Sequence, residues 1–161
     1  MRHKTQVGDV FLIPIDGSRW GLGQVAGDWQ GELYVVIFDA VCDSAEVDPE
    51  TVCSAPLLLA ALTLDAKFYD GTWRVIGTVA RNIDRIRQPL FKVNYNGAVY
   101  LESRDRSVFR PASETEGEAL SYRTIVAPIR LEKALRAHFG LGDWRPQYDD
   151  LLFGNMLRDA Q

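Results

Sequence analysis

Residues 8–38 read GDVFLIPIDGSRWGLGQVAGDWQGELYVVIF, and this stretch decides the fold class. Val10-Phe11-Leu12-Ile13 is an apolar run opened by Gly8-Asp9 and closed by Pro14. Asp16-Gly17-Ser18 supplies turn chemistry, and Arg19 to Val25 reads as a second strand. Gly27 to Gly31 makes the next turn, ahead of Leu33-Tyr34-Val35-Val36-Ile37-Phe38, a third strand of β-branched and aromatic residues. Three short strands on tight turns form a meander. A meander of this kind belongs to a curved antiparallel sheet or a small SH3-like barrel.

Outward from that core the pattern changes. Asp48-Pro49-Glu50 is the start of a short helix, with Asp48 as N-cap and Pro49 at the first helical position. Leu57 to Phe68 suits either a buried strand or a buried helix; a strand from about Leu59 is the preferred reading. Asp70-Gly71 is a hairpin signal leading into a strand from Trp73 to Val79. Asn96-Gly97, between Phe91–Asn94 and Ala98–Leu101, is the strongest hairpin signal in the chain. Ser103 to Ser121 is polar and charged, as a mobile surface loop would be. Further on, Ile129, Leu131, Leu135 and Phe139 share one helical face, with Pro128 in the first turn and Gly140 as the left-handed cap. Leu151, Leu152, Met156 and Leu157 indicate a second short helix. The expected class is therefore α+β. It is a single domain, 1–161, comprising a β-rich body over about 5–102, a mobile polar loop over about 103–127 and a helical extension over about 128–161.

Composition agrees with a folded domain. The chain has 161 residues, 47% of them hydrophobic and 25% charged, values of an ordinary globular protein. Its net charge of −4 argues against general nucleic-acid binding, which usually needs a basic excess. Neither end reads as a targeting segment, and the apolar run Pro56–Leu64 is far short of a membrane span, so a cytoplasmic protein without membrane contact is expected.

No catalytic or cofactor chemistry stands out. Gly21-Leu22-Gly23-Gln24-Val25-Ala26 satisfies a dinucleotide-binding pattern, but that chemistry needs the glycines to feed a helix. Here Gly27 and Gly31 interrupt, and another strand follows; the glycines instead relieve crowding or admit a close neighbour. Cys42 and Cys53 read as reduced thiols, and with only His3 and His138 available no zinc spacing forms. His138 sits where an imidazolium meets a helix C-terminus, His3 lies in a tail expected to fray, and Asp149-Asp150 caps or decorates the last helix. No catalytic residue, metal or cofactor is expected.

Charge patterning reads either as two solvated faces with no specific ligand, the commoner meaning of charge runs, or as a protein-binding face. Asp39, Asp43, Glu46, Asp48 and Glu50 form an acidic segment without a basic residue, while Arg74, Arg81, Arg85, Arg87 and Lys92 are opposed only by Asp84. Carboxylates can imitate phosphates and draw in a basic protein partner, such as a nuclease-like domain. Trp29 is either an aromatic anchor for that partner or a lid folded back on the barrel end.

Gly8-Asp9-Val10-Phe11, Ile13-Pro14-Ile15, Asp16-Gly17 and Gly21-Leu22-Gly23-Gln24-Val25 together resemble the opening of the immunity protein 26 family. Gly71-Thr72-Trp73-Arg74-Val75-Ile76-Gly77, followed by Pro89-Leu90-Phe91, is similar to its second block. The resemblance implies a bacterial cytoplasmic immunity protein of a polymorphic toxin system, one that binds and neutralises a cognate toxin domain without turnover. The shared residues look like fold-makers, so the toxin-contacting surface is expected on exposed, variable segments. A nucleic-acid- or ribosome-associated SH3-like module, using Arg81–Lys92 with Phe91 and Tyr95, is the rival reading. A small hydrolase assembled only by the fold is the third.

Overall fold

The computed structural model describes residues 4–157; His3 lies outside the described residues. Strands β1 (Asp9–Pro14), β2 (Trp20–Trp29) and β3 (Glu32–Cys42) form the expected meander. β2 runs straight through Gly27-Asp28, so the turn shrinks to Gln30-Gly31. Helix α1 (Pro49–Val52) begins as expected, with the Asp48 carboxylate accepting the Glu50 N–H at 3.0 Å. Strand β4 (Leu57–Thr63) follows, then a short helix α2 (Ala66–Tyr69) and β5 (Arg74–Thr78). The expected strand thus ends at Thr63 and does not run on to Phe68, because the chain turns into α2 once it leaves the sheet.

The sheet order is β4-β3-β2-β1-β5, with each neighbouring pair antiparallel. β4 and β5 are therefore opposite edges of an open sheet, and the barrel alternative gives way to the curved sheet. For the same reason Asp70-Gly71 closes no hairpin: it ends α2 and lets the chain cross the sheet to the far side. Register shifts at Val10/Phe11, Gly21/Gly23, Val25/Gly27 and Ile37/Phe38 bend the strands.

A second sheet has the order β6-β7-β8, from β6 (Phe91–Tyr95), β7 (Ala98–Glu102) and β8 (Phe109–Pro111). The β6–β7 turn is the expected one, with Asn96 and Gly97 both at positive φ (50° and 78°). The polar segment after Ser103, expected as a loop, holds β8 and helix α3 (Glu114–Ala119). Its charged residues build that helix. Ser113 and Glu116 form a reciprocal capping box, and Arg110 grips the Glu116 carboxylate with two nitrogens at 2.9 and 2.7 Å. Helix α4 (Pro128–His138) follows, with Gly140 left-handed beyond it, then a 3-10 turn over Pro146–Leu151 and α5 (Phe153–Leu157).

Both faces of the large sheet are covered, which is why Leu33–Phe38 reads as an unbroken apolar run. One face (Phe11, Ile13, Val35, Ile37, Leu59) packs under Leu131 and Leu135 of α4 and Tyr148 and Leu151 of the 3-10 turn. Ile129 is exposed and does not join that face. The other face (Val10, Leu12, Val36, Phe38, Leu62) packs under Val52, Val79, Ile86 and Phe91. The result is a β-rich α+β body with helices mostly toward the C-terminus.

The glycine pattern of β2 now has its cause. A Cβ at Gly21 would lie 2.4 Å from Leu135 Cδ2, and one at Gly23 would lie 2.5 Å from the Phe11 ring. These glycines let α4 and an aromatic ring approach a strand, and no helix follows them.

Candidate functional site

The acidic segment leaves the sheet at the end of β3 and returns through α1. Its carboxylates are all exposed, but they have different duties. Asp39 meets His138, with Oδ1 2.9 Å from the imidazole Nε2, tying β3 to the end of α4. Asp48 caps α1 and also accepts from the Thr51 hydroxyl at 3.3 Å. Glu50 pairs with Arg81. Asp43 and Glu46 have no side-chain partner among the described residues, so their charge faces solvent uncompensated.

Trp29 is not part of that surface. Its indole is 2% exposed, edge-on to Phe91 at 5.4 Å, with the Arg123 guanidinium 5.6 Å over its ring. Of the two readings of Trp29, the structure has the one in which it folds back onto the body. Its polar sequence neighbours Asp28, Gln30 and Gly31 give no hint of this, because its cover comes from β6 and from residue 123, far along the chain.

The basic residues do not form a continuous track. Glu50 occupies Arg81, and Lys92 Nζ donates to the Gly117 carbonyl at 2.6 Å while lying 4.5 Å from the Tyr122 ring centroid. Phe91 is buried in the core and has no face free for base stacking. The acidic and basic segments also meet at Glu50–Arg81 instead of occupying separate faces.

His138 and Asp149, both read as structural from the sequence, have structural partners. His138 serves Asp39, and Asp149 accepts the Trp144 indole N–H at 2.9 Å within the 3-10 turn. Both thiols are free and half-buried, and burial raises each pKa above the ordinary 9.0. Among the described residues, no group of three or more His, Cys, Asp or Glu is placed to hold a metal ion. No described helix is long and apolar enough to cross a membrane.

One feature escaped the sequence reading. Tyr95, Tyr100 and Phe109 meet pairwise at 5.1–5.3 Å on one face of the second sheet, and Arg106 lies 4.6 Å from the Phe109 centroid. Tyr95 and Tyr100 could have been placed together by counting register outward from Asn96-Gly97. Phe109 could not, since the polar residues from Ser103 to Ser121 carry no strand pattern that signals β8.

The resembling motifs are fold-makers here. Asp9 accepts from the Gln6 N–H at 3.0 Å and the Thr78 hydroxyl at 2.8 Å. Gln24, fully buried, donates to the Val79 carbonyl at 2.8 Å and exchanges hydrogen bonds with the Asn82 amide at 2.6 and 3.1 Å. Trp73 is buried against Phe11 and Phe68. No curated protein and no solved structure matches the chain. The family model described as immunity protein 26 matches residues 6–97, the stretch that builds the large sheet, its crossing to β5 and the tip of the β6–β7 hairpin. The chain therefore belongs to the immunity protein 26 family.

Proposed function

We propose that this protein binds a cognate bacterial toxin domain one-to-one in the cytoplasm of the producing cell and blocks it without turnover. Membership of the immunity protein 26 family carries this reading. A sheet packed on both faces supports it, because a rigid body can occlude a site with little ordering cost. The acidic segment is the proposed contact, led by Asp43 and Glu46, with Asp39, Asp48 and Glu50 shaping its backbone and edges. A basic, nuclease-like toxin surface would suit those charges. An interface of standard size would bury about 1,600 Å² in total.

The test is co-expression. A toxin-like domain encoded next to this gene is expected; it should arrest growth alone and should not do so with this protein present, and the two should co-elute at equal stoichiometry. Arrest that persists with the immunity protein in excess rejects the reading.

A further inference from the structure

A cleft of about 370 Å³ opens between the α1–β4 connection and the 3-10 turn at Ile83–Arg85. Phe38, Leu57 and Ile86 line it with apolar surface, while Ser54, Arg81 and Arg85 give it polar groups. We propose that this cleft is a carboxylate-binding site that receives an acidic side chain of the partner protein. The assignment of a protein partner rests on the immunity reading above.

Three observations carry the proposal. First, Arg81 of the cleft lining already pairs with a carboxylate beside the cleft: Glu50 lies on its Nε, and the same guanidinium donates to the Glu50 carbonyl at 3.3 Å. Second, the neighbouring guanidinium of Arg85 has no partner among the described residues, leaving a planar fork of donors at the cleft. Third, the walls are tied together from beneath. Buried Gln24 pairs with Asn82 on one wall and lies 3.6 Å from the Cys53 thiol on the other. A cleft held open by a buried amide is organised before its ligand arrives.

The apolar lining selects among anions. A carboxylate on an aliphatic stem, as in glutamate, can lay methylenes on Phe38, Leu57 and Ile86 while its oxygens take the Arg85 fork. A phosphate ion has no stem to place there. The site therefore favours glutarate over inorganic phosphate, and the acidic surface around it presents a mixed-charge face to the partner.

The experiment titrates the ¹⁵N-labelled protein with glutarate, and separately with inorganic phosphate, at constant ionic strength. Saturable millimolar shifts are expected at the Arg85 Nε–H and the Ser54 and Ala55 amides with glutarate, and weaker ones with phosphate. R85Q should weaken glutarate binding at least about fivefold, R85K should fall between, and R145Q, remote from the cleft, should leave it unchanged. R85Q should also weaken the complex with the toxin domain by a similar factor. Linear shifts without saturation, shifts equal in R85Q, or phosphate binding tighter than glutarate would each overturn the proposal. Those outcomes alongside intact protection in co-expression would remove the cleft while leaving the immunity reading in place.

Discussion

The indole N–H of Trp73 donates to Glu132 Oε1 at 2.8 Å, joining the start of β5 to the middle of α4 where both residues are almost wholly buried. Lys67 and Arg136 each approach the same carboxylate to 3.7 Å, so the charge is compensated inside the core. This pair fastens the family-matched sheet to a helix outside the matched stretch. Replacing Glu132 by Leu strands the Trp73 donor and the two cations, whereas Gln keeps an acceptor. E132L should lose about 1–3 kcal/mol in urea denaturation, with E132Q losing distinctly less. Equal losses would mean the hydrogen bond contributes nothing.

The close approach at Gly23 sets a second expectation. A methyl group there meets the Phe11 ring, itself stacked on Trp73 at 5.1 Å, so the aromatic cluster must shift. G23A should cost about 1–3 kcal/mol. Gly117, in α3, has nothing within 4 Å of an added Cβ, and G117A should be neutral or stabilise by up to about 1 kcal/mol. Thermal melts of the two variants provide the comparison.

Asp43 and Glu46 can be separated from the structural carboxylates beside them. Changing both to Ser removes charge without touching a cap or an ion pair. Stopped-flow association with the toxin domain should slow by roughly threefold to tenfold at low salt and become less salt-dependent, with dissociation little changed. D48A, by contrast, should act mainly on stability through the α1 cap, by about 1 kcal/mol. An association rate indifferent to D43S/E46S moves the contact elsewhere on the surface.

Acid should dismantle the α3 anchor late. Hydrogen bonding to Arg110 first, then the Ser113 backbone N–H, holds the Glu116 carboxyl at about 2, well below its ordinary 4.5. A depressed folded pKa stabilises the fold above the unfolded value, and that contribution is lost as pH falls from 4.5 through about 2. An NMR titration of the Glu116 side chain should show its midpoint near the lower value, and R110Q should move it upward. A midpoint unmoved by R110Q contradicts the assigned cause.

The thiols should be sluggish nucleophiles. Burial raises both Cys42 and Cys53, and Glu50 adds to the effect at Cys53, so little thiolate exists near neutrality. Iodoacetamide at pH 7.5 should modify both several-fold more slowly than a free cysteine, with rates climbing steeply at higher pH.

Residue order alone determined the meander, the α1 cap, the Asn96-Gly97 hairpin and the terminal helix, because each depends on neighbours a few positions apart. It also excluded a nucleotide-binding helix after Gly23, since the next strand begins too soon. Tertiary structure decided the rest. Whether the sheet closes depends on where β5 pairs, and Asp70-Gly71 carries no record of the crossing that takes it beside β1. Trp29 is buried by Phe91 and Arg123, and the Arg85 cleft forms because Gln24 reaches both of its walls. Those relationships join residues tens of positions apart, and local periodicity contains no information at that range.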